Sequence, residues 1–219
     1  MSRILYSGTK NASSWAFRAW LALREQRIAF EERVVDLHKP QRLENLARIA
    51  AFSPPGAVPV LVDGDAVIYD SLAIMEYANE IGDGSLLPMD AKLRAQARSL
   101  AAWQHAGLSN LCPRLSFESA FYADRRAMRP DEVADAQRLF GVFEHALERS
   151  GGPFLVGDLS LADLAFVPSL VRIMAHGPDL DRFPLARAWH ERVIARDSVQ
   201  EWLGEAASLP PVVLDGYRE

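Results

Sequence analysis

The chain has 219 residues, 49% hydrophobic and 24% charged, enough apolar material for one large or two small globular domains and no compositional case for disorder. A formal net charge of −5 argues against nucleic acid as the main partner, because phosphate binding draws on Lys and Arg. The single cysteine, Cys112, can close no intramolecular disulfide, which makes a cytoplasmic location the expectation. Strand-like residues begin at once, and no apolar run approaches the roughly 20 residues a membrane-spanning helix needs. A soluble protein with no targeting segment and no membrane partner is expected.

Taken in chain order, the pattern predicts a strand over 3–7, a helix over 14–26, a strand over 30–37 and a helix over 41–51. A strand pair and a helix over 71–81 follow. This βαβαββα order implies a parallel unit followed by an antiparallel one in a mixed four-stranded sheet. In the pair, Val58, Val60 and Val62 alternate with Pro59, Leu61 and Asp63, and Asp63-Gly64 suits a type I′ hairpin turn. Proline cannot donate to a ladder, so Pro59 belongs at a strand's first residue or on an edge. It also gives the inexpensive route to a cis peptide, at Val58-Pro59. Asp70 or Ser71 caps the next helix, with Leu72, Met75, Tyr77 and Ala78 turned inward.

The run GDGSLLP, 82–88, breaks the alternation, and everything after it reads as helical. The domains are therefore expected at 1–83 and 90–219, with a linker at 84–89. Helices are predicted over 91–108, 118–128, 131–150, 161–176, 185–196 and 199–207, punctuated by prolines. Pro168 falls inside one of them, where a kink or broken turn is expected. Ser160-Leu161-Ala162-Asp163 outlines a capping box.

These features resemble the glutathione transferases, of the bacterial, serine-type kind. The motifs that carry the match are AVPVLVDGDAVIYDSLAIMEY (57–77), LVGDLSLADLAFVP (155–168) and NASSWAFRAWLAL (11–23). The resemblance covers essentially the whole chain and implies a thioredoxin-like N-terminal domain followed by an all-α helical bundle domain. It further implies a cis bond before Pro59, with the Val58 backbone pairing with the cysteinyl main chain of glutathione like an added strand. Asp70 and Ser71 would hold the γ-glutamyl end, since a helix N-terminus favours an anion. Taken by themselves, the same two residues read as a plain helix cap.

An alkyl thiol titrates near ~8.5, so the site must stabilise its anion. Aligning the family's aromatic with Trp15 puts Ser13 on the catalytic position and Ser14 where proline commonly stands. An ungapped alignment to the zeta class puts Asn11 there instead, and Tyr6 in the first strand is a further candidate. Without the resemblance, Ser13 and Ser14 read as an N-cap pair. Lys39 falls where the family places a group against the glycine carboxylate. Arg18 reads as a structural ion-pair partner in preference to an aid to the thiolate, Cys112 as buried packing, and Asp163 as a folding device. Trp15, Trp103, Phe117, Phe121 and Tyr122 are candidates for lining the second-substrate pocket, or for core. The histidines lack metal-ligand spacing, so no metal is expected.

The resemblance thus implies a homodimeric detoxification enzyme with glutathione as cosubstrate and a small hydrophobic electrophile as partner. Its thiolate would attack an electrophilic carbon, a peroxide or a mixed disulfide, which allows peroxidase or disulfide reductase activity. The alternatives are a maleyl-type cis-trans isomerase, which would want additional basic residues at the pocket, and a non-enzymatic transferase-fold binding protein.

Overall fold

The computed structural model describes residues 3–106, 108 and 111–214. Gly107, within the helix predicted over 91–108, and the ends of the two expected domains at 1–2 and 215–219 lie outside the described residues.

Strands β1 (Arg3–Gly8), β2 (Glu31–Val35), β3 (Val60–Asp63) and β4 (Ala66–Tyr69) form one sheet in the order β2-β1-β3-β4. β1 runs parallel to β2 and antiparallel to β3, which pairs antiparallel with β4. Helix α1 (Ser14–Glu25) connects the first two strands, α2 (Arg42–Ala50) follows β2, and α3 (Ser71–Ile81) follows β4. The predicted mixed sheet is therefore present. Gly64 takes a positive φ of 63° in the β3–β4 loop, whereas Asp65 does not. That fits a type II′ turn rather than the expected I′, which needs positive φ at both central residues.

Val58-Pro59 is cis, and so is Lys39-Pro40, which the sequence did not suggest. Pro59 stands just before β3, so its missing N–H costs the ladder nothing. Gly8 is required for a different reason. A Cβ there would lie 2.7 Å from Ser13 Cβ and 2.7 Å from Leu37 Cδ1, so only glycine lets the end of β1 pass against the start of α1.

The helical part comprises α4 (Ala91–His105), α5 (Leu111–Arg114), a 3-10 turn (Glu118–Phe121), α6 (Pro130–Ser150), α7 (Leu161–Met174), α8 (Pro184–Ile194) and α9 (Asp197–Ala207). The helix expected over 118–128 is reduced to that short turn. The reason is local: Arg125 Nη1 donates to Tyr122 O at 2.6 Å and Arg126 Nη1 to Ala127 O at 3.0 Å, so side chains satisfy carbonyls that a helix would have used. Helix α7 continues through Pro168 without a broken turn. No helix among the described residues is long and apolar enough to cross a membrane.

Helix α1 lies between the two parts. It packs against α3 and β1 on one side and against α7 and α9 on the other, so every residue from Ala16 to Leu23 is buried. Polar ties reinforce this junction. Lys10, 4% exposed, is paired with Glu32 and Glu205 at 3.1 and 2.8 Å and lies between the rings of Trp20 and Trp202. Such a buried charge is tolerable because it is paired.

At the far end of α1, Glu25 accepts from Arg196 Nε at 2.9 Å and from Ser198 Oγ. Burial alone would raise the Glu25 carboxyl, but these donors and the Arg196 charge prevail and hold it below its ordinary value of 4.5. Glu25→Gln is expected to cost roughly 2 kcal/mol at neutral pH, the scale of a charge-assisted pair. A depressed carboxyl gives stability that is complete above its ordinary value and is lost as pH falls through the folded one. Urea unfolding of both proteins should therefore show the gap closing only below about pH 4.5; a gap that stayed constant down to pH 3 would contradict this role.

Candidate functional site

Two helix N-termini, those of α1 and α3, are linked through Arg18 and Ser71. At the first, Ser13 is the N-cap of α1, with its Oγ accepting from Ala16 N at 3.3 Å. Ser13 is 4% exposed, and its own O–H has no acceptor among the described residues. The free N–H groups of this helix N-terminus favour negative charge. Ser14 is half-buried and faces a neighbouring cavity.

At the second, Asp70 caps α3 by accepting from Leu72 N at 2.8 Å. Its φ is 72°, a left-handed conformation that costs a non-glycine residue of order 1 kcal/mol or more and that gathers at ligand sites. Ser71 is 2% exposed. Val58 precedes β3 outside the paired register, and none of the described loop hydrogen bonds uses its peptide groups. Lys39 is exposed beside its cis proline.

Arg18 ties these elements together. It is 1% exposed. Its Nη2 donates to Ser71 Oγ at 2.7 Å and stands 3.0 Å from His105 Nδ1, while Nη1 donates to Gln104 Oε1. The guanidinium also lies 4.2 Å over the Trp15 ring. The expected ion pair is absent. Among the described residues Arg18 hydrogen-bonds no carboxylate, and Asp70 reaches it through His105, whose Nε2 is 3.2 Å from Asp70 Oδ2. Burial lowers the Arg18 pKa to about 10, with Asp70 opposing the shift, so it is charged at neutral pH.

A cavity of about 410 Å³ adjoins this cluster, walled by Ser14, Trp15, Arg18, Gln104, Cys112 and Arg172 among others. Cys112 is half-buried and faces it, so it is not the core residue expected. Of the aromatic candidates, only Trp15, 42% exposed, lines this space. Phe117 is core against Phe17 and Phe121, Trp103 packs on Phe166, and the Tyr122 hydroxyl bridges Val212 O and Leu214 N. Tyr6 packs on Phe52. Asn11 Nδ2 donates to Pro210 O at 2.8 Å and to Leu209 O at 3.4 Å, so its donors are engaged away from α1's N-terminus.

Gln104, His105 and Arg172 escaped the sequence reading. One sign of Arg172 was available: it is a lone cation inside the apolar run of α7, LADLAFVPSLVRIM, and charges are seldom buried without a purpose.

A four-stranded βαβαββα sheet unit joined to a helical bundle is the thioredoxin-like plus helical class of fold. Family models for the N-terminal and C-terminal domains of glutathione S-transferase match residues 12–81 and 119–206. Glutathione S-transferase 1 of Dianthus caryophyllus is 32% identical over 197 residues, 85% of each chain. The chain belongs to the glutathione S-transferase family. A probable maleylacetoacetate isomerase of Vibrio cholerae is 29% identical, covering 84% of this chain and 87% of its own. A glutathione transferase homologue from Burkholderia, solved with bound glutathione, superposes with a TM-score of 0.70 at 26% identity over 96% of this chain and 100% of its own.

Proposed function

We propose that the protein is a glutathione transferase in which the thiolate of bound glutathione attacks an electrophile placed in the cavity beside Ser14. The observation that carries this reading is the convergence of the α1 and α3 N-termini, bridged by the 2.7 Å contact between Arg18 Nη2 and Ser71 Oγ. Ser71, Asp70 and the Arg18 charge would take the γ-glutamyl end. The Val58 peptide would pair with the cysteinyl main chain, and Lys39 would face the glycine carboxylate. Ser13 then donates its free O–H to sulfur, with Ser14 as the alternative donor. In the transfer step a C–S bond forms while the leaving group departs with its electron pair. Attack on a peroxide or a mixed disulfide would use the same thiolate.

The test is calorimetric titration of glutathione into wild type and Ser71→Ala, with thiolate absorbance followed against pH. Saturable binding with a thiol pKa below ~8.5 is expected in wild type. Ser71→Ala should raise Kd by about 10-fold, because it removes a hydrogen bond to a charged group. No binding at millimolar glutathione would favour a non-enzymatic binding protein instead.

The named isomerase relatives favour one second reading, a glutathione-dependent cis-trans isomerase. There the thiol adds to a conjugated double bond, the bond rotates and the thiol is eliminated again. It would be recognised by isomerisation without net consumption of glutathione.

A further inference from the structure

The electrostatics of the cavity carry an inference that rests on the transferase reading and goes beyond it. Arg172, on α7, is 6% exposed. Its Nη1 donates to Cys112 O at 3.1 Å and Leu115 O at 3.2 Å, and its Nε to Pro168 O at 3.4 Å. Nη2, by contrast, has no partner among the described residues. The guanidinium rests 5.7 Å from the Phe117 ring and forms part of the cavity wall. Arg18 stands in the same wall, likewise without a carboxylate in contact.

Neither guanidinium hydrogen-bonds a carboxylate among the described residues, so this wall of the cavity presents positive charge that an anion would answer. Two acids act on these guanidiniums without hydrogen-bonding to them, Asp70 on Arg18 and Glu118 on Arg172. Asp70 is engaged with His105. Glu118, close to Arg172, has its carboxyl pushed up by burial, against the pull of that arginine. The remaining wall, with Trp15 and Pro113, is suited to a flat apolar body.

We propose that the electrophile this protein uses carries a carboxylate, and that Arg172 receives it through Nη2. Arg18 answers the γ-glutamyl carboxylate through its contact with Ser71, whereas Arg172, held to α5 through Cys112 O, is left for the second substrate. A low-dielectric wall strengthens both attractions.

The experiment uses 4-chloro-3-nitrobenzoate and its methyl ester. In each, the glutathione sulfur forms a bond to the carbon bearing chlorine and chloride leaves. The kcat/KM of each is divided by its uncatalysed rate constant with glutathione, since the ester is intrinsically more reactive. Wild type should prefer the acid by about tenfold after this correction, the scale of one charged hydrogen bond. In Arg172→Gln that ratio should fall toward one. Because Arg172 also braces α5, a wild-type measurement stands beside the variant: 4-nitrobenzoate, but not 4-nitrobenzamide, should inhibit competitively against the electrophile. A wild-type ratio of one or below, or equal inhibition by the two, overturns the proposal while leaving glutathione binding by calorimetry intact. Absence of that binding would remove the transferase reading, and this proposal with it.

Discussion

Ser13→Ala is expected to lower kcat/KM by roughly 100-fold, the loss typical of one donor to a developing or resting anion. The hydroxyl is buried at the N-cap of α1, its oxygen is already used by Ala16 N at 3.3 Å, and its hydrogen is the part left for sulfur. Alanine removes both roles. The cap costs about 1 kcal/mol of stability, which for a chain of this length is a Tm change of only about 3 °C. Activity therefore falls far more than stability does. In the absorbance titration, the bound thiol of the variant should ionise closer to the free value of ~8.5, while Ser13→Thr, which keeps the hydroxyl, should recover most of the shift. If Ser13→Ala titrates like wild type and Ser14→Ala does not, the donor is Ser14.

The largest expected effect on stability lies elsewhere, at Asp163. Its carboxylate is fully buried. One oxygen accepts from Leu155 N at 3.0 Å and Trp189 Nε1 at 2.8 Å, the other from Ser160 N at 2.8 Å and Ser160 Oγ at 2.7 Å. Burial pushes the carboxyl up while all four donors pull it down. Asp163→Ala leaves buried N–H groups of three different residues unanswered, so we expect a loss of about 4 kcal/mol, or roughly 10 °C in Tm. Asp163→Asn, which keeps one acceptor oxygen, should lose about half as much. Urea midpoints for the three proteins give the comparison. A loss under about 1 kcal/mol in the alanine variant would mean that water replaces the carboxylate and that this cap is not what holds α7 to α8. Glutathione affinity per folded molecule should be unchanged, because Asp163 hydrogen-bonds only Leu155, Ser160 and Trp189 among the described residues, none of them at the starts of α1 or α3.

Much of the fold was readable because it is written locally. The valine alternation before Asp63-Gly64, the caps at Ser13 and Asp70, the Ser160–Asp163 box and the break at 82–88 each span a few residues, and each is present in the structure. Where the reading failed, side-chain contacts that no periodic pattern encodes were responsible, some close in the chain and some across it. The 118–128 segment has helical composition, but the arginine side chains of 125 and 126 take its carbonyls. The aromatics at 117 and 122 could not be divided between core and pocket until their neighbours were known. Phe117 is covered by α1 and α7, and Tyr122 is claimed by the segment after α9.

The sequence by itself determined the order of elements in the sheet unit, the starts of α1 and α3, and the residues that cap them, because capping and alternation depend on neighbours within about four positions. Only the tertiary structure decided what surrounds the reacting sulfur's expected place. Residues 18, 71, 104, 112 and 172 come from five different helices. Whether a guanidinium among them meets a carboxylate or an empty wall depends on packing across the chain, since charge pairing is set by distance in space and not by separation in sequence.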